Sequence, residues 1–203
     1  MTRQPSIARR AEELLGASVI STAPVAGGDI STATRMRLND GTTALMKTHH
    51  HAPEGFFAAE VRGLRWLGEA AADGGVAVPD VLAHDHECLI LRWVEPGKTT
   101  VDAASELGRS LARTHRAGAD GFGADDDGFI GRLPLPNGST EAWPEFYATR
   151  RVLPYLKLAR DRGNATDEDA VTIEAVLGRL AERLEQLLAS DTVRTDPGGA
   201  GRR

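Results

Sequence analysis

The sequence predicts an α+β chain: a small antiparallel sheet with one long helix, followed by a helical region. Three observations predict it. Thr34, Met36 and Leu38 alternate with Arg35 and Arg37, and Asn39-Asp40-Gly41 supplies a turn before the strand pattern resumes at Ala44-Leu45-Met46-Lys47, which together read as a β-hairpin. Cys88-Leu89-Ile90-Leu91 is a short continuous apolar run of strand type. After Glu95-Pro96-Gly97 the apolar residues recur at helical spacing.

Element by element, 7–15 reads as a short amphipathic helix and 19–25, 34–38 and 43–48 as strands. Helix 54–72 carries a stripe of Phe57, Val61, Leu64 and Leu67 and stops before Asp73-Gly74-Gly75. Pro79 marks entry into strands 81–83 and 88–94, and Glu95-Pro96-Gly97 is expected to form a hinge. Helices are then expected at 101–117, at 141–160 with an interruption at Pro154, and at 167–189. The last begins at Thr166-Asp167-Glu168-Asp169, a hydroxyl cap followed by carboxylates at the positive end of the helix dipole. Its stripe of Ile173, Leu177, Leu180, Leu184 and Leu187 covers only about two heptads, which favours core packing over a coiled coil. If that stripe is left open, self-association through the last helix is expected. The corresponding organisation is an N-terminal lobe at 1–95, a partial helical lobe at 96–190 and a flexible tail at 191–203.

Composition narrows the function. With 203 residues and 41% hydrophobic content the chain can bury a substantial core. A formal net charge of -5 argues against a nucleic-acid partner. No apolar stretch is long enough to span a membrane, and residues 1–13 are too polar for a secretory signal, so a cytoplasmic location is expected. The single Cys88 lies in an apolar run and reads as a small buried side chain.

Candidate binding residues converge on a nucleotide. Gly27-Gly28-Asp29-Ile30-Ser31 separates two strands, and residues without a Cβ let backbone N–H groups approach phosphate oxygens. Lys47 ends an apolar strand and Glu60 sits within the stripe of the following helix; taken singly each reads as reaching to solvent, but with the glycines in order the set reads as two charges that partner each other. Pairing Lys47 with Glu60 leaves the ammonium to hold the phosphates of ATP, as in the protein-kinase arrangement. Backbone groups around Trp93, Val94 and Glu95 at the hinge are then positioned for adenine; packing beside a turn is an equal reading of Trp93. Other features carry less. His49-His50-His51 reads as a solvated loop, Asp125-Asp126-Asp127 lacks a calcium-loop pattern, and His115 reads as a hydrogen-bonded core histidine.

The segments around these residues resemble the fructosamine kinase (ketosamine 3-kinase) family. They are Pro24-Val25-Ala26-Gly27-Gly28-Asp29-Ile30-Ser31, 56–64, 78–83, 107–116, Phe129-Ile130-Gly131 with Asn137, and Trp143-Pro144-Glu145-Phe146-Tyr147 through Pro154. The similarity runs from about residue 19 to about residue 160 in the family's order. It implies a protein-kinase-like fold, ATP and Mg²⁺ as cofactors, and a fructosamine or ribulosamine phosphorylated on its 3-hydroxyl. The matched segments favour this over an aminoglycoside- or choline-type kinase. It also implies a catalytic His-Gly-Asp-Leu-Trp segment followed by an Asp that binds Mg²⁺; no residue of the 203 supplies either. No catalytic residue and no metal ligand are therefore assigned, activity is expected to be impaired, and a non-catalytic nucleotide-binding remnant is the alternative. The change after Leu188 from a regular helix to a Gly- and Arg-rich tail fits a truncation or a frameshift. Asp127 matches an Asp of the family's Asp-Asn-Phe-Ile-Gly segment, which implies a structural or substrate-side role, and Gly128 stands where the family commonly has Asn.

Overall fold

A computed structural model describes residues 4–26 and 28–194. Helix α1 (Gln4–Leu15) precedes β1 (Val19–Val25), β2 (Thr32–Leu38) and β3 (Thr43–Thr48); β4 (Val81–His84) and β5 (Cys88–Arg92) follow the long helix α2 (Phe56–Glu69). The strands form one sheet in the order β1-β2-β3-β5-β4, with every neighbouring pair antiparallel. The alternation in β2 is realised: Thr34, Met36 and Leu38 are buried while Arg35 and Arg37 are exposed.

Both faces of the central strands are covered, which is why 88–91 reads as a continuous apolar run. On one face Met36, Ala44, Met46 and Ile90 pack with Ala11 of α1. On the other, Leu89 and Leu91 pack with Phe57 and Val61 of α2. Cys88 is buried, and desolvation beside the Asp85 carboxylate pushes its thiol up to about 12, so it stays protonated and inert. β5 ends at Arg92, two positions before the expected 94, and α2 tightens into a 3-10 turn over Ala70–Asp73.

The turn between β4 and β5 is tied to α1 by Asp85. Its Oδ1 accepts from the Glu87 and Cys88 N–H groups at 2.8 and 3.0 Å, and its Oδ2 accepts from Arg10 at 2.7 Å. Burial raises the Asp85 pKa, but the hydrogen bonds from Glu87, Arg10 and Cys88 outweigh it and hold the carboxyl below its usual range. A depressed carboxyl stabilises the fold above its unfolded pKa and stops doing so as the pH falls through its folded pKa. Asp85→Asn is therefore expected to cost about 1–2 kcal/mol near pH 7. The gap from wild type should begin to close below about pH 4, as read by chemical denaturation across pH; a gap that persists unchanged at lower pH contradicts this.

Helix α3 (Val101–Ala117) is capped by the Thr100 hydroxyl, which accepts from the Ala103 N–H at 3.1 Å, yet none of its residues is buried. His115 is exposed, not the core histidine expected, because the half-buried residue on that turn is Thr114, whose hydroxyl accepts from the Val76 N–H at 2.9 Å. The described residues form two compact units: one runs to Ala119 and takes in Gly128–Pro134, and the second comprises Asp120–Asp127 and the residues from Leu135 on.

A second, two-stranded sheet of β6 (Gly128–Ile130) and β7 (Leu133–Leu135) had no counterpart among the expected elements. Beyond it the expected helix 141–160 is realised as α4 (Trp143–Phe146), a widened π segment Tyr147–Val152 and α5 (Leu153–Asp161). Pro154 lacks an N–H and its ring would crowd the carbonyl four residues back at Arg150, so the helix widens before the proline. Helix α6 (Asp167–Arg194) begins with a capping box: the Thr166 hydroxyl accepts from the Asp169 N–H at 3.1 Å, and Asp169 accepts from the Thr166 N–H at 2.9 Å. It continues past the expected end at 189. Ile173, Leu177, Leu180 and Leu184 are half-buried; the side chain of Leu187 and residues 195–203 of the expected tail lie outside the described residues. No described helix is long and apolar enough to cross a membrane.

Candidate nucleotide-phosphate site

The strand register fixes what stands beside Lys47. Lys47 pairs with Ala33 on β2 and Leu89 on β5, and Leu45 pairs with Arg35 and Leu91. These residues share the face on which α2 packs. Because α2 seats on Leu89 and Leu91, its Glu60 reaches across to Lys47. Lys47 Nζ donates to Glu60 Oε1 at 2.5 Å and Oε2 at 2.7 Å, with both side chains 29% exposed. A lysine ammonium has three donors, and this geometry leaves one for a ligand oxygen.

The glycine loop joins β1 to β2. Gly28 has φ +97°, a region that side chains rarely adopt, and a Cβ there would lie 3.1 Å from the Ser31 carbonyl oxygen. Gly27 lies outside the described residues. Asp29 is exposed, Ile30 and Ser31 are half-buried, and among the described residues their backbone N–H groups meet no acceptor. Successive free N–H groups after a left-handed glycine can make an anion-binding concavity.

Just after β5, in the segment expected to form a hinge, the Trp93 N–H donates to the Thr43 carbonyl at 3.0 Å, and no backbone hydrogen bond among the described residues engages Val94 or Glu95. Thr43 and Lys47 are four residues apart on β3, about 13 Å at strand rise. The backbone after β5 thus meets β3 four residues along the strand from Lys47. Arg35, an unforeseen participant, lies over the Trp93 ring at 4.8 Å and donates to Glu95 Oε1 at 2.8 Å. Trp93 is half-buried, and its indole N–H is buried without a partner among the described residues.

His49 departs from the solvated loop expected for the three histidines. It is half-buried, its Nδ1 accepts from the His51 N–H at 3.1 Å, and its ring meets the edge of Phe56 at 5.4 Å. Accepting at Nδ1 fixes the proton on Nε2, which is buried without a partner among the described residues.

The match to the fructosamine kinase family model spans residues 3–193. The chain belongs to the fructosamine kinase family. A probable ketoamine kinase of Thermus thermophilus is 37% identical over 139 residues, 68% of this chain and 48% of that protein. The chloroplastic protein-ribulosamine 3-kinase of Arabidopsis thaliana is 32% identical over 145 residues, 68% of this chain and 43% of its own length. The chain thus spans about half the length of the curated relatives it matches. Among solved structures, a candidate fructosamine-3-kinase of Thermobifida fusca superposes with a TM-score of 0.80 at 40% identity, covering 87% of this chain and 62% of that one. A counterpart from Haemophilus somnus, at 19% identity and a TM-score of 0.72, shares the fold. The sheet with its Lys47–Glu60 pair and the helices after it are therefore a kinase-like α+β fold.

Proposed function

We propose that this chain is the nucleotide-binding portion of an ATP-dependent ketosamine kinase. Its acceptor is a fructosamine or ribulosamine, phosphorylated on the sugar 3-hydroxyl. The observation that carries the reading is the Lys47–Glu60 pair, on the strand that also meets the backbone after β5 four residues away at Thr43. In this reading Glu60 holds the ammonium in place, the third Lys47 proton and the N–H groups of 29–31 receive phosphate oxygens, and Trp93 to Glu95 read the adenine edge. The named relatives support the acceptor class.

The donor set fits the phosphates better than the metal. Among the described residues no three His, Cys, Asp or Glu side chains gather as a metal site. Among the described residues, the proposed phosphate contacts are Lys47, held by Glu60, and the loop. Phosphoryl transfer also needs a group to take the acceptor's hydroxyl proton, and no His-Gly-Asp segment occurs in the 203 residues.

The expected result is that the 203-residue chain binds ATP but does not measurably phosphorylate a fructosamine. Loss of a general base alone costs about 10²–10⁴-fold in rate. Product formation followed by mass spectrometry, beside a full-length relative, tests it. Turnover equal to that relative's would refute the reading.

A further inference from the structure

We infer that the turn Phe129-Ile130-Gly131 is a positioning element that ties the glycine loop to the Glu60 helix, so that both sides of the phosphate site are held in register. The inference rests on the nucleotide reading above. Residues 128–134 belong with the first unit, although 120–127 before them and 135 onward belong with the second. Strand alternation splits the three residues. Ile130 is 53% exposed, while Phe129 is half-buried against α2.

Phe129 meets the ring of Phe56 at 5.3 Å, and Phe56 in turn meets Phe57 edge-on at 5.2 Å and carries the His49 ring on another side. Phe56 lies one helical turn before Glu60 on α2. On the other side of the turn, Gly131 has φ +60°, and the position of its missing Cβ is 3.8 Å from Ile30 Cδ1. The Ile30 side chain therefore reaches the turn at a residue with nothing to obstruct it. Ile30 belongs to the loop whose N–H groups would meet the phosphate in that reading. The end of β6 and the glycine after it thus pack a ring on the helix that aims Lys47 and lie beside the loop that would share its phosphate. Phe129 is not among the fully buried residues, so its contact orients elements that the sheet core already holds together.

The test measures ATP and adenosine affinities by titration calorimetry, with melting temperatures, for wild type, Phe129→Ala, Phe129→Leu and Ile30→Ala. Adenosine occupies the base end alone, so a positioning role at the phosphate end weakens ATP selectively. Phe129→Ala is expected to weaken ATP by about tenfold, the upper range for losing an aromatic contact, with adenosine unchanged and Phe129→Leu partly restored. Ile30→Ala, in a loop outside the core, should show the same selective loss even if Phe129→Ala fails to fold, and the double variant should be no weaker than the worse single one. Unchanged ATP affinity in both variants overturns the inference, as does an equal loss for ATP and adenosine. Wild type and Lys47→Ala serve as controls: if wild type binds no ATP, or Lys47→Ala binds it equally well, the nucleotide reading itself fails and this inference with it.

Discussion

Lys47→Ala is expected to weaken ATP binding by about 10- to 100-fold, the range for one hydrogen bond to a charged group, with adenosine binding unchanged. The ammonium is held by a carboxylate, at 2.5 and 2.7 Å from Glu60, and keeps one donor for a phosphate oxygen. Alanine removes the donor and leaves Glu60 facing the incoming phosphates, so two unfavourable changes act in the same direction. Thermal stability should change little, because both side chains reach water and Glu60 can be hydrated once its partner is gone. Lys47→Arg should fall between, since a planar guanidinium cannot present three donors tetrahedrally to Glu60 and a phosphate. ATP affinity unchanged in Lys47→Ala would place the nucleotide elsewhere.

Phe57→Ala should produce the largest loss of stability, about 3–5 kcal/mol. Phe57 is 1% exposed and seats α2 on Val61, Leu89 and Leu91, with its ring also against Phe56. Truncation leaves a cavity between helix and sheet that the covered strands cannot collapse into, because their opposite face is pinned by α1. A loss of that size is a large part of a domain's usual stability of about 5–15 kcal/mol. It also frees the helix that carries Glu60, so ATP affinity should fall with it. Leu107→Ala on exposed α3 should stay within about 0.5 kcal/mol of wild type. Equal denaturation midpoints for the Phe57 and Leu107 variants would contradict the assignment of the core.

The main sheet and its site pair were legible because each rests on a pattern of several residues. Period-two burial in β2, the doubly covered run of β5 and the α2 stripe each place many side chains at once, and a charge embedded in two such patterns leaves Lys47 and Glu60 each other as partners. What could not be read had little pattern to offer. β6 and β7 are three residues each within a Gly- and Asp-rich stretch, and β7 contains Pro134, so alternation is too short to register. His115 sits on an amphipathic helix face that periodicity assigns inward, yet α3 buries none of its residues. His49 and Arg35 acquire their roles from ring contacts to Phe56 and Trp93, partners seven and 58 positions away that no local spacing reveals. The widened turn at Tyr147–Val152 followed from the position of Pro154, but which residues would absorb the proline was not encoded in periodicity.

The central claim is that this chain grips a nucleoside triphosphate between the glycine loop, Lys47 and the hinge. A crystal structure of the 203-residue chain with a non-hydrolysable ATP analogue tests it most directly. The account predicts a phosphate oxygen within hydrogen-bond distance of Lys47 Nζ, the Lys47–Glu60 pair intact, N–H groups of 29–31 turned toward the phosphates, and the adenine edge against the backbone of Val94 and Glu95. An analogue bound away from Lys47, or bound with its base at the glycine loop, would contradict it.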